Sequence, residues 1–329
     1  MLMRIRILCL LLSQYCAFSV MAQGVLMPPP LRQGDRIAII SPSSTPDSMV
    51  VERGCATLHQ WGYEPVVGTN ALNKYHGFAG TIEERTSDLL WALRDTTIRA
   101  ILCSRGGDGA VQLLPHIPLD EFRHNPKWFM GFSDATALHS AWVSAGVMSL
   151  HSTMCEGIAA RADNDSSILA LRGVLEGRLP CYQVPHHPLD QHGVGEGLLV
   201  GGNLSVLCGV AGSEYDLLQR VDEGLILFIE DTGEGISKVD RMLHLLEVRG
   251  ILSRLKGIVV GHFSKYKAPE NDFEDMYAML HEYLGNLPIP VCYDFPSGHH
   301  SGTNLPLVEG CPVRLSVSEE GTKLQFLND

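Results

Sequence analysis

The sequence lacks the cysteine and histidine spacings that hold metal ions or dense disulfide frameworks. Its 9 cysteines are scattered and form no Cys-x-x-Cys pair, and its 14 histidines include no His-x-His spacing. A zinc site is therefore not indicated, and we expect neither a metal nor another cofactor. Most of the cysteines lie in apolar runs, where cysteine usually serves as a small core residue.

Positive charge is also scarce. The chain has 25 Lys plus Arg against 37 Asp plus Glu, a net charge of −12, and no block of basic residues. Nucleic acid and anionic lipid are therefore poor candidate partners. The hydrophobic fraction of 45% over 329 residues is that of a globular protein with one large or two medium domains.

The N-terminus has an uncharged apolar run. Arg4 and Arg6 precede this run, residues 7–22, and small residues occur before Gln23. We interpret residues 1–22 as a cleaved secretory signal peptide, which predicts a periplasmic protein without integral membrane association. A retained membrane anchor is the alternative, although the run is short and contains Ser13, Gln14 and Tyr15.

The pattern that follows alternates between buried strands and amphipathic helices. Apolar strands are predicted at 35–40, 64–67, 100–104 and up to Gly131, and helices at 46–61, at 81–94 and from Ala110. The helix at 81–94 opens with a Thr81-x-x-Glu84 capping box. This βαβα alternation predicts an N-terminal α/β domain, residues 23–180, with an open parallel sheet flanked by helices.

Composition changes after residue 180. Residues 181–197 are rich in proline, histidine and glycine and lack periodicity, so we interpret 181–196 as a linker or irregular hairpin. Strands at 224–230 and 257–261 then alternate with helices at 239–250 and 273–284. A second, smaller α/β domain is therefore expected over 197–329.

Ser133 is the first candidate for chemistry. The strand before it stops at Gly131, and a helix follows at once. A serine on such a strand-to-helix turn presents its hydroxyl beside free helical N–H groups, which suits an acyl-transfer nucleophile. The structural alternative is that Ser133 or Asp134 merely caps the helix.

The glycine-rich segment Ser104-Arg-Gly-Gly-Asp-Gly109 also joins a strand to a helix. Its backbone can approach a ligand closely and direct N–H groups at an anion. It fits a phosphate loop, half of an oxyanion hole completed by the N–H of Asp134, or a tight turn that needs positive φ.

Glu230 and His299 are candidates for the carboxylate and the base that an acyl-transfer nucleophile needs. Glu230 ends an apolar strand, where it either orients a histidine or faces water. His299 lies in a turn-rich loop, where it acts as a proton shuttle or is simply exposed. Ser133, Glu230 and His299 occur in an order that permits a nucleophile–acid–base triad at strand ends.

With these residues in place, the sequence resembles the LD-carboxypeptidase family, serine peptidases that trim murein tetrapeptides and include microcin-C immunity hydrolases. The matching segments run from Gly34 to Pro306. They are 34–43, 78–81 with Glu84-Arg85 and Asp88-Leu89, 105–109, 131–136, 201–204, 228–231, 240–243, and Gly298-His299 with Asn304.

The resemblance implies a flavodoxin-like N-terminal domain, no metal, and often a homodimer. It places the nucleophile at Ser133, the carboxylate at Glu230 and the base at His299, with the backbone N–H groups of Gly107 and Asp134 as oxyanion donors. The loop residues Arg105, Gly106 and Asp108 are then expected to contact substrate. Asp108 departs from the family, which usually has an aromatic residue there.

The expected activity is hydrolysis of an L,D peptide bond, with murein peptide as the substrate and D-alanine as the leaving group. One alternative is hydrolysis of a peptidyl-adenylate. Another is an exported two-lobed binding protein without catalysis, in which Ser133 is only a helix cap.

Overall fold

The computed structural model describes residues 24–267, 273–299 and 302–327. The predicted signal peptide, residues 1–22, lies outside these described residues. Within them, no helix combines the length and the apolar character that crossing a membrane requires.

Thirteen strands and nine α-helices are described, joined by loops and short 3₁₀ segments. The strands are β1 (Arg36–Ile40), β2 (Glu64–Val67), β3 (Ile98–Cys103), β4 (Trp128–Gly131), β5 (Ser149–His151), β6 (Cys181–Val184), β7 (Gly193–Asn203), β8 (Leu225–Thr232), β9 (Gly257–Ser264), β10 (Val291–Cys292), β11 (Leu307–Glu309), β12 (Pro312–Ser318) and β13 (Gly321–Phe326). The helices are α1 (Ser48–Gln60), α2 (Ile82–Arg94), α3 (Leu119–His124), α4 (Thr136–Ser144), α5 (Cys155–Ala160), α6 (Ser166–Leu175), α7 (Leu204–Gly209), α8 (Ile236–Val248) and α9 (Met276–Leu284).

The first sheet has the spatial order β2-β1-β3-β4-β5-β11. Strands β1 to β5 pair in parallel, and their order is that of the flavodoxin-like fold, which confirms the predicted fold class. Strands β1, β3 and β4 lie inside this sheet and are almost wholly buried, which explains their continuous apolar sequences. The predicted capping box at the start of α2 is confirmed, with reciprocal Thr81 and Glu84 bonds.

The second sheet has the order β10-β9-β8-β7-β12-β13-β6. Strands β7 to β10 are parallel, whereas β12, β13 and β6 extend the sheet in antiparallel pairs. Strand β11 belongs to the C-terminal part of the chain but pairs with β5 in the first sheet. One hydrophobic cluster includes Leu102 of the first sheet and Phe228 of the second, so the two sheets share a core.

Two local predictions differ from the structure. The segment that begins at Ala110 is a 3₁₀ helix, Ala110–His116, because Pro115 lacks the N–H that an α-helix would need there. The segment expected to be a linker, 181–196, contains β6 and the start of β7. Strand β6 pairs on one side only and is half exposed, so its sequence lacks the apolar run of a buried strand. The division of the chain into domains at this segment stays a prediction.

Candidate active site

Ser133 lies on the turn between β4 and α4, at the carboxyl edge of the first sheet. Its backbone has φ +65, which non-glycine residues rarely adopt, so the surrounding packing holds it in a strained turn. A Cβ added at Gly131 would lie 3.0 Å from both Ala135 Cβ and Cys103 Sγ, which explains the glycine before the turn. No side chain caps the 3₁₀ turn Ser133–Ala135 or α4, so the helix-cap alternative for Ser133 and Asp134 is wrong.

Glu230 lies in β8, at the centre of the second sheet. The register between β8 and β9 shifts between Ile229 and Asp231, and such an irregularity re-aims the side chain it contains. The Glu230 side chain is fully buried, so the alternative in which it faces water is wrong. A buried carboxylate needs a partner, and His299 is that partner.

His299 bridges the two halves of the molecule. Its Nε2 lies 2.9 Å from Ser133 Oγ, and its Nδ1 lies 2.6 Å from Glu230 Oε2. The His299 backbone N–H also donates to Glu230 Oε2, at 3.2 Å. A hydroxyl, an imidazole and a carboxylate in this order can activate the hydroxyl as a nucleophile.

The loop that carries His299 is fixed at both ends. The N–H of Gly298 donates to Asn304 Oδ1 at 3.0 Å, and the N–H of Asn304 donates to Ser167 Oγ at 2.9 Å. Gly298 has φ +103, and a Cβ there would lie 2.8 Å from Glu230 Oε2. Only glycine therefore lets the loop pass this close to the buried carboxylate.

A buried histidine, His139, supports strand β4, which leads to the nucleophile. The ring nitrogens of His139 lie 2.9 Å from Ser149 Oγ and 3.0 Å from the carbonyl oxygen of Gly131. Burial lowers the pKa of His139 to about 4, so this imidazole is neutral at neutral pH. It therefore connects β4 and β5 without adding a positive charge behind Ser133.

The glycine-rich loop lies directly against Ser133. A Cβ added at Gly106 would lie 3.0 Å from Ser133 Oγ, so the backbone here approaches the hydroxyl as closely as a glycine allows. Gly107 has φ +120, which is the positive φ that the tight-turn hypothesis required. Within the described residues, the N–H groups of Gly107 and Asp134 have no acceptor, so both are available as donors, and their role as an oxyanion hole stays a prediction.

The other predicted loop residues lie on the surface. The Arg105 side chain is exposed, and its Nη1 donates to the carbonyl oxygen of Thr45 at 3.3 Å. Asp108 is exposed as well, and its N–H donates to Ser44 Oγ at 3.3 Å. Their contact with substrate stays a prediction. Among the described residues, no group of three or more His, Cys, Asp or Glu side chains could hold a metal ion.

Sequence reasoning missed several residues that hold the site together. The family pattern includes Asn304, Arg85 and Thr136 but gives them no role, and Ser44 lies outside the pattern. Thr136 Oγ1 accepts from the N–H of Asn203 at 3.0 Å, which joins the start of α4 to the end of β7. No local signal indicates what the side chains of Arg85, Ser44 and Thr136 do, because each contacts a backbone group of a segment that is distant in sequence.

The geometry is the one that serine hydrolases use, and comparisons with known proteins agree with that class. Models of the LD-carboxypeptidase N-terminal and C-terminal domains match residues 37–152 and 196–315. A murein tetrapeptide carboxypeptidase of Pseudomonas aeruginosa is 30% identical, with 80% of this chain and 88% of that protein covered. The microcin C7 self-immunity protein of Escherichia coli is 26% identical, with 86% and 91% covered.

A solved structure shares the whole fold. The muramoyltetrapeptide carboxypeptidase from Oxalobacter formigenes superposes with a TM-score of 0.80 at 28% identity, over 89% of this chain and 99% of that one. The chain described here belongs to the LD-carboxypeptidase family. Its relatives support a role as a carboxypeptidase.

Proposed function

We propose that the protein is a serine carboxypeptidase that hydrolyses an L,D peptide bond and releases the terminal D-alanine of murein tetrapeptide. The observation that carries this proposal is the continuous contact from Ser133 Oγ through His299 to Glu230. The relatives named as murein tetrapeptide carboxypeptidases supply the substrate class.

In the proposed reaction, Ser133 Oγ attacks the carbonyl carbon of the scissile bond while His299 Nε2 takes its proton. Glu230 orients the imidazole and stabilises the imidazolium that forms. The tetrahedral oxyanion accepts hydrogen bonds from the N–H groups of Gly107 and Asp134. His299 then protonates the leaving D-alanine nitrogen as the C–N bond breaks, which leaves an acyl ester on Ser133.

A water molecule completes the cycle. His299 takes a proton from this water, whose oxygen attacks the acyl ester, and the proton is then returned to Ser133 Oγ as the shortened peptide leaves. The chemistry needs no cofactor.

The substrate is tested with a panel of murein tri-, tetra- and pentapeptides, whose products are identified by mass spectrometry. The proposal predicts loss of D-alanine from the tetrapeptide and little turnover of the other two. A tetrapeptide that remains intact while the tripeptide or pentapeptide is cut would contradict the proposed specificity.

A second candidate is hydrolysis of a peptidyl-adenylate, which the similarity to a microcin C7 self-immunity protein favours. The same assay with an aminoacyl-sulfamoyl adenosine separates the two activities. Cleavage of that compound without cleavage of tetrapeptide would favour this candidate, and saturable binding of either compound without turnover would favour a non-catalytic binding protein.

We also propose that the protein is exported to the periplasm. The basic start, the apolar run and the small residues at Val20-Met-Ala22 favour a cleaved signal peptide and a periplasmic enzyme. N-terminal sequencing of protein from the periplasmic fraction should begin near Gln23, whereas a chain that retains Met1 in the cytoplasmic fraction would contradict export.

A further inference from the structure

One peptide group at the end of the glycine-rich loop is bound on both sides by buried charged side chains. Arg85 Nη1 donates to the carbonyl oxygen of Gly109 at 3.0 Å, and Asp134 Oδ2 accepts from the N–H of Ala110 at 2.8 Å. This carbonyl and this N–H belong to the same peptide plane. Arg85 and Asp134 are therefore linked through the peptide bond between Gly109 and Ala110.

Both side chains are almost fully buried. Arg85 is 2% exposed and Asp134 is 6% exposed, so each charge carries a large desolvation cost. Arg85 offsets it with further bonds to the carbonyl oxygen of Pro42 at 2.7 Å and to Gln112 Oε1 at 2.6 Å. Its guanidinium also lies over the ring of Phe78, 4.9 Å from the centroid.

The Asp134 carboxyl has fewer partners than Arg85. Burial raises its pKa, and the Ser43 hydroxyl, the Ala110 N–H and the charge of Arg85 oppose that rise. Its only direct backbone contact among the described residues is the one to the loop. The loop N–H of Ala110 is therefore the backbone group that the carboxylate binds.

The loop needs such an external restraint. Gly107 and Gly109 have φ +120 and +110, and neither has a side chain that could anchor it. A Cβ at Gly109 would lie 2.7 Å from Arg85 Nη1, so the glycine also makes room for the guanidinium. Asp134 is the residue after the nucleophile and supplies one oxyanion N–H, while Gly107 supplies the other from the loop.

We propose that Asp134 and Arg85 are positioning residues that hold the two halves of the oxyanion hole at a fixed separation. The Asp134 carboxylate connects the nucleophile turn to the N–H of Ala110, three residues beyond Gly107, and Arg85 binds the carbonyl oxygen of the same peptide group. Neither side chain touches substrate. This inference rests on the proposed function, because it concerns the same oxyanion hole.

The test compares Asp134→Ala with Asp134→Asn, because the asparagine retains an acceptor oxygen for the Ala110 N–H. We expect Asp134→Ala to lower kcat for D-alanine release on the order of 10²-fold while KM changes less than about threefold, the pattern of a lost transition-state contact. Asp134→Asn should recover most of that loss. Unchanged kcat in a folded Asp134→Ala protein, or a loss that appears only in KM, would overturn the inference.

A second pair of measurements separates positioning from general stability. Asp88 is a matched control, since it is 5% exposed and binds the N–H of Asn70 at 3.0 Å in another loop of the same sheet. Asp88→Ala should lower the melting temperature but retain kcat. An equal loss of kcat in Asp88→Ala would indicate that both residues act only through stability.

A peptide boronic acid, which forms a tetrahedral adduct with a catalytic serine, measures the oxyanion hole directly. Asp134→Ala should weaken its affinity in parallel with kcat, whereas tetrapeptide binding to the inactive Ser133→Ala protein should not change when Asp134→Ala is added. If Asp134→Ala does not fold, Arg85→Lys gives the same readouts, with an expected loss of kcat of about tenfold. Turnover by Ser133→Ala alone would refute the proposed function, whereas an inactive Ser133→Ala with a fully active Asp134→Ala would refute only this inference.

Discussion

The nucleophile and the base of the candidate site are positioned by different means. Ser133 lies on a tight turn between a strand and a helix, and Gly131 permits that turn. His299 lies on an irregular loop, which Asn304 and Gly298 attach to the rest of the molecule. The first position follows from local geometry, whereas the second depends on side-chain contacts between segments that are distant in sequence.

Substitutions at the two positions should therefore affect catalysis in different ways. Substitutions in the turn should displace or remove the Ser133 hydroxyl. Substitutions around His299 should change the orientation of its imidazole and leave every reacting group present. Because Glu230 is the contact through which the second sheet orients the imidazole, it is the first place to test this difference.

Among changes that leave the nucleophile in place, Glu230→Gln should have the largest effect. The amide is close in size to the carboxylate, but it cannot stabilise the imidazolium and it disturbs the preferred tautomer of His299. We expect kcat to fall by about 10³- to 10⁴-fold with little change in KM. The measurement is steady-state release of D-alanine, with Glu234→Gln, in the loop that follows β8, as a control. A loss below tenfold would show that Glu230 does not orient the base.

Gly298→Ala should have the next largest effect. A Cβ there would lie 2.8 Å from Glu230 Oε2 in a backbone conformation with φ +103, so the loop must shift away from the carboxylate. We expect a loss of kcat on the order of 10²-fold, since small misplacements of catalytic groups are costly. Gly209→Ala is the control, because a Cβ there has nothing within 4 Å. Full activity in Gly298→Ala would mean that the loop does not depend on this close approach.

Asn304→Ala should have a smaller effect on the same loop. It removes the acceptor for the Gly298 N–H but leaves both Gly298 and Glu230 in place. We expect kcat to fall about tenfold and the melting temperature to fall by a few degrees, as for one lost buried hydrogen bond. Asn304→Asp retains the acceptor and should recover activity; failure of this rescue would count against a loop-holding role.

Glu309→Gln should change stability and leave turnover nearly unchanged. Burial raises the pKa of Glu309 to about 8, so the folded protein keeps a proton that the unfolded chain releases above its ordinary glutamate pKa. The free energy of unfolding should therefore fall as pH rises from about 4.5 to about 8, by at most about 1.4 kcal/mol per pH unit.

The glutamine variant cannot titrate, so it should lose less stability than the wild type over that pH range. Urea unfolding of both proteins at several pH values measures the difference, with Glu319→Gln in an exposed turn as a control. Parallel pH profiles for Glu309→Gln and wild type would contradict a neutral Glu309 in the folded protein.

Local sequence signals predicted much of the fold. The apolar runs of β1, β3 and β4 and the capping box of α2 each depend on neighbours in sequence, and the structure confirms them. Strand β6 was not predicted, because an edge strand with one partner has little apolar character. Strand β11 was not predicted either, since nothing local indicates that three residues near the C-terminus pair with β5.

At the candidate site, too, features with a local sequence signal could be predicted and features that depend on distant segments could not. The turn at Ser133 could be predicted from the glycine and the flanking strand and helix, whereas the buried state of Glu230 could not be decided from its own segment. The link from Arg85 to Asp134 through the Gly109 carbonyl and the Ala110 N–H involves three segments, so no single stretch of sequence could indicate it.

The most direct test of the central claim is the rate of D-alanine release by Ser133→Ala, measured on protein whose folding is verified by its melting temperature. We expect a rate at least about 10⁴-fold below that of the wild type, because the attacking oxygen is gone while Glu230 and His299 remain. Turnover close to the wild-type rate would show that Ser133 is not the nucleophile and would contradict the proposed mechanism.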